Sequence, residues 1–234
     1  MEQHNRNKLT VVKHNDLNQA SYKLSLDERR LILSAIALLN PQEKMPTEIT
    51  IRAKDYALQW NIDETNAYRQ LKEARSTLFE RKIVLRRGER GRDIRWIYDA
   101  EYADGEGYIK ISFSPTVAPY LTELKKHFTS YRLAEIKKFR SSHAIRLYEL
   151  LMQYRKSGWW SENLIRLKEM LGVDDKYPRW AEFRRRVLDP AVREINQSTN
   201  YVVDFNIKKR GRKVSGVVFT FALTDRTDWF TNSF

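Results

Sequence analysis

Five periodic segments run in one order and then run again, and that repetition limits the fold more than any single motif does. Residues 24–41 (LSLDERRLILSAIALLNP) read as a helix. Ser25 can cap it, Asp27 and Glu28 suit its N-terminal end, and Pro41 follows its stop. Residues 47–53 (TEITIRA) alternate like a strand, with Ile49 and Ile51 on one face. A short helix over 53–61 and a longer one over 63–82 follow. The longer one should bury Ala67, Leu71, Leu78 and Phe79. The strand-like IVLRR, the basic turn GERGRD and the strand-like IRWIYDAEY close the first set.

The second set begins with a helix over 141–158, expected to end at Gly158. A short strand over 162–165 (ENLI) and a short helix closed by Gly172 come next. A long helix over 182–199 leads to strands at 201–208 and 214–223, joined by the basic turn KRGR. Ile51-Arg52-Ala53-Lys54 and Ile165-Arg166-Leu167-Lys168 share wording where strand should give way to helix. Helix, strand, helix, helix and hairpin is the order of a winged helix, whose last helix enters the major groove while the hairpin touches backbone or minor groove. The expected fold is therefore α+β: two tandem winged-helix domains related by pseudo-symmetry. Pro115 and Pro119 limit regular structure between them. The expected division is 9–128, then 129–225, then a short tail at 226–234.

Charge says what such units would meet. The chain of 234 residues has a formal net charge of +13, which draws a protein towards polyanions. Residues 1–128 carry 22 Lys/Arg against 18 Asp/Glu, and residues 129–234 carry 21 against 12, so the second unit is the stronger anion binder. On a wheel of 100° per residue, Trp180, Val187, Leu188, Ala191, Val192 and Ile195 form a core stripe. Arg179, Arg186 and Arg193 cluster away from it with Glu182, and Arg185 sits at its edge. Arg184 falls inside the stripe, which makes it the poorest base reader of the three consecutive arginines; its stem should lie over the core or reach a phosphate. Arginine suits the outward face because it can give two hydrogen bonds to guanine O6 and N7. Glu182 and Asp189 could accept from cytosine or pair with neighbouring arginines. Pro190 should kink or break this helix.

Lys208, Lys209, Arg210, Arg212 and Lys213 surround one glycine at the second hairpin's tip, a composition suited to phosphates or a narrow minor groove. A charged turn also blunts a strand edge, which is the plainer explanation. In the first unit, Arg86, Arg87 and Arg90 line a basic turn diluted by Glu89, and Asn66 and Arg69 face outward beside Gln70 and Glu73. That mixed face implies weaker DNA binding, or a protein partner.

Other chemistries find little support. The chain has no cysteine, which excludes disulfides and thiolate zinc sites. There is no GxxxxGK phosphate loop. The histidines (His4, His14, His127, His143) form no His-x-His or HExxH pair, so no metal site is expected. His143, Arg146 and Tyr177 loosely match a tyrosine recombinase's HxxR and tyrosine, but they sit on a packed helix and a turn. No enzyme activity and no cofactor are expected. Residues 1–25 lack an apolar leader segment and no run approaches the ~20 apolar residues of a membrane helix. A cytoplasmic protein is expected.

The segments NDLNQASYKLSLDERRLILSAIA, FTSYRLAEIKKFRSSHAIRLYELLMQYRKSG and EFRRRVLDPAVREIN resemble the replication initiators of iteron-bearing bacterial plasmids, over about Leu9 to Leu223. The resemblance implies two winged-helix domains that bind directly repeated origin sites (iterons) as a monomer. It implies origin opening and recruitment of the host initiator and the replicative helicase. It also implies a homodimer, joined mainly through the N-terminal domain, that binds an inverted repeat and represses its own gene. The main reader maps onto Arg184, Arg185 and Arg186. A winged-helix transcriptional regulator without origin activity is the alternative; a strand-transfer enzyme using Tyr177 is a remote one.

Overall fold

The computed structural model describes residues 9–87, 90–102 and 105–224. It opens with two elements that the sequence pattern does not announce, strand β1 (Thr10–His14) and the single-turn helix α1 (Asn15–Asn18). Helix α2 (Leu26–Ala37) follows, closed by a reciprocal capping box. The Glu28 amide donates to Ser25 Oγ at 3.2 Å and the Ser25 amide to Glu28 Oε2 at 2.7 Å. Strand β2 (Ile49–Arg52) buries Ile49 and Ile51 as the alternation requires. Helix α3 (Ala53–Trp60) stops at Asn61, whose φ of 51° takes the left-handed conformation that ends many helices. Helix α4 (Glu64–Leu78) is capped by Asp63 and buries Ala67, Leu71, Ala74 and Leu78. Phe79 lies just beyond that helix and stays 38% exposed, so it is not part of the stripe.

The region after α4 holds two hairpins. Strands β3 (Lys82–Arg87) and β4 (Arg90–Arg95) form a separate two-stranded sheet. Strands β5 (Ile97–Tyr102) and β6 (Tyr108–Phe113) join β2 in a sheet of order β2-β6-β5. Strand β7 (Phe128–Arg132) then returns to pair antiparallel with β1, from Thr10 opposite Arg132 to His14 opposite Phe128. The chain expected to connect the two units is thus itself in a ladder.

The second set comprises α5 (Ser142–Gln153), β8 (Trp159–Asn163), α6 (Leu164–Met170), α7 (Trp180–Phe183), a π-helical turn at Arg184–Leu188, α8 (Asp189–Ser198), β9 (Tyr201–Arg210) and β10 (Lys213–Leu223). Helix α5 ends at Gln153, short of Gly158, which instead starts the path into β8. The strand lies earlier than expected because Asn163 caps α6, accepting from the Arg166 amide at 2.7 Å. Ile165 and Arg166 are therefore helical where Ile51 and Arg52 are strand, so the shared wording is out of structural register. The sheet order is β8-β10-β9, matching β2-β6-β5 strand for strand. The molecule has two winged-helix units, and β3–β4 is an insertion in the first.

A buried charge cluster joins them. Glu149 of α5 is ion-paired to Lys13 of β1, lies 3.3 Å from Arg29 of α2 and 3.6 Å from Arg146, and accepts from the Tyr131 hydroxyl at 2.8 Å. Burial pushes the Glu149 carboxyl up, but Lys13, Arg146 and Arg29 overcome it and hold it down to about 2. Burial and the adjacent Glu149 raise the Tyr131 phenol. Arg146 is wholly buried, donates to the Met170 and Ala20 carbonyls at 2.9 and 2.8 Å, and lies 4.3 Å from the Tyr22 ring centre. Removing one partner from such a cluster costs about 3–5 kcal/mol, because the remaining charges stay buried. Arg30 adds a donation to the Phe139 carbonyl at 3.0 Å. Among the described residues no helix is long and apolar enough to cross a membrane.

Candidate nucleic-acid interface

The arginine helix buries Phe183, Val187, Leu188, Ala191 and Ile195 almost completely. Arg179, Arg184, Arg185, Arg186 and Arg193 are all exposed. The sequence pattern therefore finds the two faces but misplaces Arg184, whose side chain is 55% exposed. The cause is the π-helical turn. The Asp189 amide donates back to the Arg184 carbonyl, one residue further than in an α-helix. Pro190, with no N–H to continue the α ladder, lies in the first turn of α8. The expected kink is thus taken up as a widened turn, which rotates Arg184 out of the stripe. Its guanidinium sits 5.6 Å from the Phe205 ring centre, and Nε donates to Asp189 Oδ1 at 3.2 Å.

The β9–β10 wing stands beside this helix. Gly211 turns it at φ 62°, a left-handed conformation, and Lys208, Lys209, Arg210, Arg212 and Lys213 around it are exposed. Asn196 of α8 binds both backbone groups of Val203, at 2.9 and 2.7 Å, and so ties wing to helix. At the inner end of the wing, a Cβ on Gly216 would fall 2.6 Å from the Glu162 carbonyl oxygen, so only glycine lets β10 lie this close to β8.

The first unit differs. Asn66 and Arg69 are exposed on α4, but Arg69 is paired with Glu73 at 3.1 Å. Arg86 reaches across to Glu169 of α6 at 3.3 Å. The side chains of Arg87 and Arg90 lie outside the described residues. By sheet order the counterpart of the β9–β10 wing is β5–β6, whose connection is ADGEG, with Asp104 and Glu106, and not the basic β3–β4 hairpin that charge alone marks as the wing. Two arginines not singled out by the sequence pattern line a cleft near the first unit's basic hairpin. They are Arg92 and Arg166, and they share this cleft of about 280 Å³ between the units with Arg86, Asp16 and Gln19. Arg166 also donates to the Gln19 carbonyl at 2.7 Å and pairs with Glu169 at 3.1 Å. Its sequence signal is its place in the repeated wording, which by itself marks only a domain.

Of the residues matched to a tyrosine recombinase, His143 and Arg146 lie on α5 and Tyr177 follows α6. Burial, then Arg29 and Lys176, lowers the His143 pKa, and Arg146 has no solvent access. Tyr177 takes a left-handed backbone (φ 54°) and its carbonyl accepts from Lys168 at 2.7 Å.

A tandem pair of winged helices with one strongly cationic reading face defines a DNA-binding class. Within it, residues 10–152 match the first winged-helix module (WH1) of the initiator replication proteins and residues 163–221 match the second (WH2). The chain belongs to that family. It is 30% identical over 234 residues to an Escherichia coli replication initiation protein, covering 95% of this chain and 72% of that one. It is 29% identical over 258 residues to the E. coli PI protein, covering 94% and 85%. A solved structure of the Pi initiator protein in complex with iteron DNA superposes with a TM-score of 0.80 at 29% identity, covering 94% of this chain and 99% of that one.

Proposed function

We propose that this chain is a sequence-specific DNA-binding replication initiator that reads directly repeated iterons at a plasmid origin as a monomer. The observation that carries this reading is the exposed arginine face of α7–α8 beside a wing tip of five cations. The likeness to an initiator solved on iteron DNA supports it. Residues 129–225 supply the main reader. Residues 9–128 add a weaker grip through Asn66, Arg69, Arg86, Arg87 and Arg90, and supply the surface for dimerisation. Two linked units raise each other's effective concentration on neighbouring turns of the duplex. The monomer helps open the origin and brings in the host initiator and replicative helicase; the dimer represses its own gene at an inverted repeat. If dimerisation takes the first unit off DNA, copy number follows the monomer–dimer balance. The protein acts in the cytoplasm, with no cofactor and no chemical step of its own.

The test is a titration at two salt concentrations on DNA flanking the gene, comparing direct-repeat, inverted-repeat and scrambled duplexes, with the mass of each complex recorded. One protomer per direct repeat, binding at least ~10³-fold tighter than scrambled DNA, is the expected result. Specificity confined to a dimer on the inverted repeat would reduce the protein to a repressor.

A further inference from the structure

We infer that Asp189 and Phe205 are positioning residues that hold the Arg184 guanidinium ready for base reading; this rests on the DNA-reading role of the arginine helix. Three observations converge on it. First, Arg184 and Asp189 are five residues apart, a spacing that does not bring side chains together on an α-helix, where neighbours are three or four apart. The π-helical turn removes that mismatch, and the pair closes at 3.2 Å. Second, the bond uses Nε, the inner donor of the guanidinium. Both terminal amino groups stay out of that bond, and they are the donors that meet guanine O6 and N7 end-on. Third, the guanidinium lies 5.6 Å from the centre of the Phe205 ring, which is itself supported by Trp180 at 6.5 Å and Phe219 at 5.9 Å. The ring restricts rotation of the long side chain before DNA arrives, so less conformational entropy remains to be given up on binding. Arg185 and Arg186 have no such ion pair among the described residues.

An acidic side chain facing DNA ordinarily weakens binding, because it repels phosphates. That gives the assignment a sign by which it can be judged. If Asp189 holds Arg184, its removal blurs sequence preference at one base pair. If it only repels, its removal strengthens binding to every sequence alike.

The experiment selects full-length protein on a library of duplexes with a randomised core, then measures affinity for the best sequence and for each single-base-pair change in it. For the wild-type chain one G·C pair should be preferred by about tenfold or more through Arg184. Arg184→Ala should flatten preference at that pair alone. Asp189→Asn should flatten the same pair several-fold while leaving affinity for scrambled DNA equal or higher. Phe205→Leu, which keeps apolar bulk in the core, should weaken the preference by less; circular dichroism melting checks that each variant folds. A uniform gain on all sequences with Asp189→Asn, or unchanged preference with Arg184→Ala, would overturn the assignment. Absence of any selection by the wild-type chain would instead overturn the DNA-reading role itself.

Discussion

The two wings are built alike and charged oppositely. β5 and β9 each pair with a central strand, β6 or β10, whose other neighbour is β2 or β8. Yet one connection carries Asp104 and Glu106, and the other tip carries Lys208, Lys209, Arg210, Arg212 and Lys213. Fold is shared because the inward residues agree: Ile49, Ile51, Ile109 and Ile111 in one sheet, Trp160, Val217, Phe219 and Phe221 in the other. The tips are free of that constraint. One tip is cationic, while the other connection is acidic and leaves the first unit's cations on α4 and on the inserted β3–β4 hairpin. A shared scaffold therefore does not imply a shared way of meeting DNA.

The comparison holds only while the joint keeps both units in one frame, and the largest effect should come from breaking that joint. Glu149→Gln should lower unfolding free energy by about 3–5 kcal/mol in urea titration, since Lys13, Arg29 and Arg146 would remain buried without their carboxylate. The same group gives a pH signature. Its folded pKa of about 2 lies below the ordinary glutamate value of 4.5, so its stabilisation is present above about pH 4.5 and disappears as pH falls through about 2.

The next effect separates the reading helices. Arg185→Ala with Arg186→Ala should weaken binding to a direct repeat by about 100-fold, and Asn66→Ala with Arg69→Ala by less than about tenfold, in paired fluorescence titrations. Equal losses would put the two units on the same footing. Smaller still is the effect of exchanging wing charges. Lys213→Glu should make the salt dependence of log affinity shallower by ~0.9, because one phosphate fewer is neutralised, whereas neutralising Glu106 should not. Smallest is Arg69→Ala on stability. Its exposed pair with Glu73 contributes no more than about 0.5 kcal/mol, measurable as a shift in urea midpoint.

What the sequence reveals follows from how far each feature reaches along the chain. The Ser25 cap, the alternation at Ile49 and Ile51 and the buried stripe from Val187 to Ile195 depend on neighbours within a turn or two, and they read directly. Strands β1 and β7 do not, because five-residue strands become stable only through pairing across more than a hundred residues. A fixed 100° step misplaces Arg184 because it cannot see a π-helical turn, although Pro190 marks the spot. Arg146 has the look of a surface or reactive arginine until α1 and α6 bring the carbonyls of Ala20 and Met170 to it. Composition hides the true first wing: GERGRD resembles KKRGRK in charge, whereas the structurally equivalent ADGEG does not.

Proximity to DNA at each wing tip tests the difference between the units most directly. The chain has no cysteine, so a single introduced thiol can carry a DNA-cleaving iron chelate without side reaction. Ser215→Cys, exposed on the second wing, and Glu106→Cys, exposed on the first, would be labelled in turn and bound to a direct-repeat duplex. Strong, localised strand cleavage from position 215 and only background cleavage from position 106 is the expected result. Equal cleavage from both, or stronger cleavage from 106, would contradict the assignment of DNA reading to the second unit's helix and wing.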